Sequence, residues 1–535
     1  MFQGKGCGAE ILTAFLFGGR GLRKKPSFSE FKLMAKRGNL IPVYQEFLAD
    51  TETPVSAYLK IRDNSFSYLL ESAESGKTWG RYSFIGYKPY LTVLSRKGTV
   101  EIRQGTLKEI LRDIRNPLDT LRSLSSQFKL VRAENLSSFQ GGFVGYFNYD
   151  LVRTWEYLPK VRPEDTTVPE SFFTISKRLI IFDHLTHRIT VVALAHIQKA
   201  GNLKEVYEMA CEELDGAIRD LQRPLPSISD EKPISLSGLE PNYRREGFEE
   251  AVRKAKAHIN AGDVIQVVLS QRFSGQATGD DFILYRNLRS LNPSPYMFYL
   301  NFGTMRLIGS SPETLVRLND GKIELCPIAG TRPRGRRFEE DQGLEEELRR
   351  DPKERAEHIM LVDLGRNDVG KVAVPGSVSV PRLMDVERYS HVMHLVSSVE
   401  GRLKPEMDAF DLFMATFPAG TVTGAPKIRA MEIICDLEPT SRGPYAGGVG
   451  YFGFNGNMDF CITIRTIAIV RNKLSIQVGA GIVADSSPHR EYEETLRKAG
   501  AMFKAVDTTN AYRAGSKIRS SEPVSPGPQE SNTPI

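Results

Sequence analysis

Residues 172–194, FFTISKRLIIFDHLTHRITVVAL, read as two β-strands joined by a turn, and residues 84–105, FIGYKPYLTVLSRKGTVEIRQG, alternate like a second hairpin. Strands that return directly on themselves pair antiparallel, because a parallel neighbour needs a long crossover. Helical periodicity follows separately, in NLKEVYEMACEELDGAIRDL (202–221) and REGFEEAVRKAKAHINAGD (245–263). Strands and helices therefore do not alternate strictly. The pattern predicts an α+β fold, a composite of large, mostly antiparallel sheets packed with helices, rather than a doubly wound parallel sheet. At 535 residues the chain exceeds one simple core, so two sub-domains or one large composite one are expected.

One segment repeats: GGFVGYF (141–147) recurs nearly as GGVGYF (447–452). Either two similar sheet edges meet in a composite fold, or Gly-rich strands simply resemble one another. Residues 222–242 are rich in Pro and Ser and read as a linker. It separates an N-terminal region, 34–221, from a second region, 243–511. Residues 1–33 read as a dispensable or disordered leader, with Met34 a plausible true start, and residues 512–535 as a disordered tail.

The formal charge of +6 suggests a polyanion partner, but its distribution argues otherwise. Residues 1–33 carry six basic and two acidic groups, and residues 513–535 three basic and two acidic. These segments hold +4 and +1, which leaves the body near neutral. Nucleic-acid binding is not expected. Five scattered cysteines without a CxxC fit reduced thiols of a cytoplasmic protein. No apolar run approaches the roughly 18 residues of a membrane span.

Several stretches carry chemistry. DPKERAEHIMLVDLGRND (351–368) predicts a helix with Glu354 and Glu357 on one face, and SPHREYEETLRKAGAMFKAV (487–506) another with Glu491 and Glu494 at the same spacing. Two such helices can meet around a hard cation such as Mg²⁺, which takes oxygen ligands, or can be solvated faces. FPAGTVTGAPKIRAMEII (417–434) places a Gly/Thr/Pro turn before a helix, where free N–H groups and hydroxyls can meet an anion. QVGAGIVADSSP (477–488) ends a strand in Gly479-Ala480-Gly481, which lets the backbone approach a ligand. Arg465 lies in an apolar strand-like run, DFCITIRTIAI, where it needs either an anionic ligand or a buried acid. PIAGTRPRGRR (327–337) sets four arginines beside Gly330 and Thr331. His394 is either a core histidine or an acid–base group.

PIAGTRPRG, EHIMLVDLGRNDVGKV, HLVSSVEG, FPAGTVTGAPKIRAMEII, GPYAGGVGYFGFNGNMDFCITIRT and GAGIVADSSPHREYEET occur in that order. Together they resemble anthranilate synthase component I, the large subunit, among the chorismate-utilising enzymes. The resemblance runs from about residue 40 to 508. It implies conversion of chorismate to anthranilate in tryptophan biosynthesis, with ammonia from a glutamine amidotransferase subunit in a heterotetramer of two large and two small chains. It implies Mg²⁺ on Glu357 and Glu494, supported by Glu354 and Glu491. It places the enolpyruvyl carboxylate against Arg465, Tyr445 and the backbone of Gly479, Ala480 and Gly481, with Gly330, Thr331 and Thr423 also lining the pocket. Glu313 matches the family's general acid, and His394 the histidine tied to the second stage, in which C2 loses a proton and pyruvate departs. Glu71 and Ser72, with Pro295, Tyr296 and Met297, match a feedback pocket for L-tryptophan. The arginines after Thr331 are then expected to steady their loop or lie on the surface.

Related enzymes bound the reading. Aminodeoxychorismate synthases of the usual kind carry a lysine where this chain has Ala329. Isochorismate and salicylate synthases use a lysine near Gln266 to activate water. Both absences favour ammonia as nucleophile. A tryptophan sensor without catalysis is the reading from another class, and the set Glu313, Glu357, His394 and Glu494 argues against it. No cysteine lies in the Gly-x-Cys-x-Gly elbow of a glutaminase.

Overall fold

The computed structural model describes residues 23–519 except residues 49, 64–65, 73–79, 135, 159–167, 199–201, 227–233 and 390–391, with side chains described up to residue 507. Its 22 strands form one hydrogen-bonded network, and every ladder between them is antiparallel. The chain is the α+β composite that its hairpins predict.

Local chemistry sets the hairpins. Lys97 and Gly98 both take positive φ between strands Tyr82–Arg96 and Thr99–Gln104, the backbone a two-residue hairpin turn requires. After strand Ser171–Asp183 the Asp183 carboxylate accepts from the Leu185 and Thr186 amides, which closes the turn into Arg188–His196.

The two halves of the sequence share this sheet. Strand Ser67–Glu71 pairs with Tyr296–Asn301, and the echoed segments pair with each other, Gly142–Phe147 against Gly448–Gly453. Gly145 faces Gly450 directly. Neither segment is a sheet edge, because each has a second neighbour on its other side. A Cβ on Gly145 would strike the Phe172 carbonyl and one on Gly450 the Asp459 carbonyl, so glycine is what the close strand approach admits. The stretch read as a linker contributes strand Ser235–Pro241, which pairs with Gln266–Thr278. One core cluster unites Phe31, Ile180 and Tyr285 with Met502 of the last helix, Pro488–Arg519.

Residues 23–33, read from the sequence as part of a dispensable or disordered leader, are ordered and packed on the body; residues 1–22 lie outside the described residues. Helix Phe28–Met34 is capped by a Ser27–Glu30 box and buries Phe31 completely. The Tyr207 hydroxyl donates to the Pro26 carbonyl at 3.0 Å, and Lys24 pairs with Asp215 at 2.7 Å. At the other end, helix Pro488–Arg519 carries the backbone beyond residue 512, where the tail was expected to start.

Candidate functional site

Strand Lys473–Ile482 is the floor of the site. It pairs with Gln266–Thr278 so that Gly479 faces Ser270 and Gly481 faces Val268. A Cβ on Gly479 would lie 2.5 Å from the Tyr445 hydroxyl, and one on Gly481 would lie 2.7 Å from the Gln266 amide nitrogen. The two glycines thus hold open the face of the strand that meets Tyr445 and Gln266. Ala480 points the other way into a core with Phe248 and Ile434, so only its backbone can serve the site.

Helix Pro352–Val372 brings Glu354 and Glu357, and helix Pro488–Arg519 brings Glu491 and Glu494. Burial pushes the Glu357 carboxyl up. Neighbouring Glu354 and Glu494 add to the rise, while the Gln266 amide and Lys498 lower it. Glu491 is raised by burial and by Glu494. The four acids therefore converge enough to repel one another. Among the described residues no three acidic, histidine or cysteine groups form a ready metal cage. Three of the acids have polar partners: Arg332 engages Glu354 at 3.1 Å, Lys498 engages Glu494 at 2.7 Å, and Gln266 Nε2 donates to Glu357 at 2.9 Å. The donor set is all oxygen, as a hard divalent cation requires.

Lys498 was not singled out from the sequence. Its ammonium bridges Glu494 and the Gly479 carbonyl, 3.1 Å away, so it ties the acidic helix to the glycine strand. Its i,i+4 spacing from Glu494 was the available signal.

Glu313 is buried and its carboxyl is pushed up to about 8 by desolvation, with Thr421 and Lys498 pulling it down by less. It lines a small pocket with Gly420, Thr421 and Asp368. Thr421 Oγ1 is buried beside this carboxyl. Thr423, the threonine marked from the sequence, is fully buried and donates its hydroxyl to the Ala419 carbonyl at 2.8 Å.

Gly330 is a bulged residue at φ +66 between Ala329 and Thr331 in the ladder with Val392–Arg402. The bulge aims its carbonyl at His394 Nδ1, 2.9 Å away. A carbonyl only accepts, so Nδ1 carries the proton and Nε2 of the neutral ring keeps its lone pair. Thr331 Oγ1 lies 3.1 Å from the same Nδ1. Burial lowers the His394 pKa, and the charge of Arg465 lowers it further, while the Gly330 contact opposes them. The neighbouring arginines face acids: Arg332 meets Glu347, Asp351 and Glu354, and Arg334 meets Asp341. They steady the loop, as one of the two sequence expectations held.

Arg465 is not within a strand. It sits at φ +50 between strands Met458–Ile462 and Thr466–Val470. Desolvation lowers its pKa and nearby Tyr445 raises it. Among the described residues no carboxylate acts on its pKa. Of the two partners the sequence left open, a protein acid and an anionic ligand, no protein acid is found among the described residues. Burial pushes the Tyr445 hydroxyl up to about 12, which keeps it a donor.

Ser72, Pro295, Tyr296 and Met297 come together elsewhere on the sheet. The Ser67–Glu71 strand pairs with Tyr296–Asn301, and Ser72 follows it. Tyr296 is tied to Asp459 at 2.7 Å, and Arg317 donates to its hydroxyl at 3.0 Å. Glu71 accepts from Tyr285 and from Arg289.

A family model described as chorismate binding enzyme matches residues 68–504. The chain is 46% identical over 496 residues to anthranilate synthase component 1 of Acetivibrio thermocellus, covering 91% of this chain and 99% of that one. It is 47% identical over 484 residues to the Aquifex aeolicus protein of the same name, covering 90% and 97%. Anthranilate synthase component I from Streptococcus pneumoniae superposes with a TM-score of 0.71 at 36% identity, over 85% of this chain and 98% of that one. The menaquinone-specific isochorismate synthase of Escherichia coli shares the fold, with a TM-score of 0.67 at 18% identity over 89% and 99%. No helix of the described residues is long and apolar enough to cross a membrane.

Proposed function

The chain belongs to the chorismate-binding enzymes, with the anthranilate synthase component 1 proteins, and acts on chorismate; from that premise we propose that it adds ammonia at C2 of chorismate and then releases pyruvate to form anthranilate. The observation that carries this reading is Glu313, a buried carboxyl that keeps its proton to about pH 8. Amination at C2 expels the 4-hydroxyl, which leaves only if it is protonated, and Glu313 is the acid for that step. In the second stage His394 Nε2, with its lone pair, takes the C2 proton as pyruvate departs. Arg465 and the Tyr445 hydroxyl receive the enolpyruvyl carboxylate, which supplies the anion that Arg465 lacks.

Glu357 and Glu494 hold Mg²⁺ in this reading, with Glu354 and Glu491 behind them. Their mutual repulsion and all-oxygen donor set suit the ion. When bound, the ion neutralises and orients a dianionic substrate. Gln266 and Ala329 offer no base: an amide is not basic and a methyl has no lone pair. Water is therefore not activated, which disfavours isochorismate as product. A lysine is also lacking at 329 for the aminodeoxychorismate route.

In this reading ammonia comes from a glutamine amidotransferase partner in a heterotetramer of two large and two small chains; the component 1 designation of the relatives supports a partner component. Burial raises the thiols of Cys211, Cys326, Cys435 and Cys461, Cys326 to about 12, which suits none of them to glutamine hydrolysis. L-Tryptophan binds at Ser72, Pro295, Tyr296 and Met297 and inhibits, and the protein works in the cytoplasm.

The test is fluorescence of anthranilate from the purified chain with chorismate, Mg²⁺ and ammonium at alkaline pH. Turnover is expected with ammonium and not with glutamine alone. Isochorismate or an aminodeoxychorismate as the main product would sink the reading.

A further inference from the structure

The deepest ion pair in the described residues joins Arg442 to Glu438, with side chains 1% and 4% exposed. Neither residue stood out in the sequence, and neither belongs to the substrate contacts named above. Arg442 Nε donates to Glu438 Oε2 at 3.0 Å and Nη2 to Oε1 at 2.6 Å. The same guanidinium reaches outward: Nη1 donates to the Val422 carbonyl at 2.6 Å, and Nη2 to the Val268 carbonyl at 2.7 Å. Glu438 Oε1 in turn accepts from the Ser270 backbone N–H and hydroxyl, each at 2.8 Å.

Each outward contact lands beside a substrate-contact candidate. Val422 precedes Thr423, and the Val268 N–H donates to the Thr423 carbonyl at 2.8 Å. Val268 and Ser270 stand opposite Gly481 and Gly479. The guanidinium carbon also lies 5.5 Å from the centre of the Tyr445 ring, whose hydroxyl faces Gly479. One buried pair thus ties together the 420–423 turn, the strand opposite the glycines, and Tyr445.

The energetics favour a geometric role. Removing two charges from water costs about what their attraction returns, so a buried pair adds little net stability over apolar residues of similar size. What it supplies is direction. A guanidinium fixes several acceptors in one plane, while a lysine offers a single point charge.

We infer that the Arg442–Glu438 pair is a positioning element for chorismate, holding Thr423, Tyr445 and the Gly479–Gly481 backbone in the arrangement that receives the substrate carboxylate. The inference rests on the proposed substrate site, and one of its readouts is independent of substrate.

Two variants of the full chain test it: Arg442→Lys, which keeps the charge and loses the fork, and the double variant Arg442→Met/Glu438→Leu, which leaves no lone buried charge. Calorimetric titration with chorismate in Mg²⁺ should show at least tenfold weaker binding in both. The KM for chorismate should rise with it, while the KM for ammonia stays unchanged. The double variant should melt within a few degrees of wild type. Without substrate, amide exchange at residues 268–270, 420–423 and 479–481 should quicken in both variants. Wild-type chorismate affinity or unchanged exchange in a folded variant would overturn the inference. Failure of both variants to fold would overturn it too, by making the pair a stability element. Absence of chorismate binding in wild type would instead sink the proposed function, and the exchange readout would still decide the role of the pair.

Discussion

Glu71 stands directly opposite Met297 in the antiparallel ladder between strands Ser67–Glu71 and Tyr296–Asn301. That register brings Ser72, the next residue, up to the Pro295–Tyr296 end of the partner strand. Ser72 Oγ is buried with no hydrogen-bond partner among the described residues. An orphaned buried hydroxyl costs about 1–3 kcal/mol unless a ligand satisfies it. Replacing Ser72 by Phe should raise the tryptophan concentration for half-inhibition at least tenfold, about 1.4 kcal/mol of binding. Steady-state rates without tryptophan should stay near wild type. Unchanged inhibition would remove the pocket.

Glu313→Gln should separate activity from stability. Burial raises the folded carboxyl from its ordinary 4.5 to about 8. Between these values the unfolded chain has lost its proton and the folded chain keeps it. Wild-type stability therefore falls as pH rises from about 4.5 to 8 on account of this group. The amide has no such penalty. The variant should melt above wild type at pH 8, with the gap closing near pH 5, and its anthranilate formation should drop by about 10²-fold or more. A lower melting temperature at pH 8 would contradict the assignment.

Arg465→Met should weaken chorismate binding by about 2–3 kcal/mol, on the order of a hundredfold, because the substrate carboxylate loses its charged partner. The same change removes a buried cation without a protein carboxylate, so the melting temperature should hold or rise. Calorimetric titration and thermal unfolding read the two effects separately. A large fall in stability with unchanged affinity would show the guanidinium to be structural.

Gln266→Lys should introduce some isochorismate, because a lysine whose pKa is lowered by burial can act as base toward water. The rate should be low, since Glu357 and Gly481 are arranged around an amide. Ala329→Lys should mainly obstruct the site. Chromatographic product analysis with and without ammonia decides. Isochorismate formed as readily as anthranilate by wild type would defeat the argument from absent lysines.

Phe31→Ala should cost about 3 kcal/mol or more, because the ring is completely buried in the main core. A protein lacking residues 1–33 should be destabilised by at least as much. A melting temperature equal to wild type would show that residues 23–33 are ornamental.

The hairpins were legible because period-2 alternation and turn chemistry are local. Tyr82–Gln104 and Ser171–His196 follow from residues within about fifteen positions of one another. Arg465 was misread as a strand residue because the alternation in CITIRTIAI continues through it, whereas the backbone turns at Thr463–Arg465 between two short strands. The run Gly330-Thr331 with His394 came from the resemblance, and the bulge that joins them came only from the ladder register. Thr421 and Arg442 were missed for one reason. A charged or hydroxyl residue on a short periodic segment looks solvated until tertiary packing buries it. Phe31 was lost behind the basic, Gly-rich stretch before it, which drew the whole segment into one reading.

The pairing of Gly142–Phe147 with Gly448–Gly453 has a consequence for how the protein is made. On the ribosome, the first of these strands emerges about 300 residues before its neighbour, and Ser67–Glu71 waits for Tyr296–Asn301 in the same way. The nascent N-terminal region therefore carries strands with unfilled ladders through much of translation. Contacts that span so much sequence close slowly and leave apolar edges exposed meanwhile. Completion of the sheet is postponed to the last part of synthesis, and a polypeptide truncated before residue 448 retains an open seam at the centre of its sheet rather than a finished half.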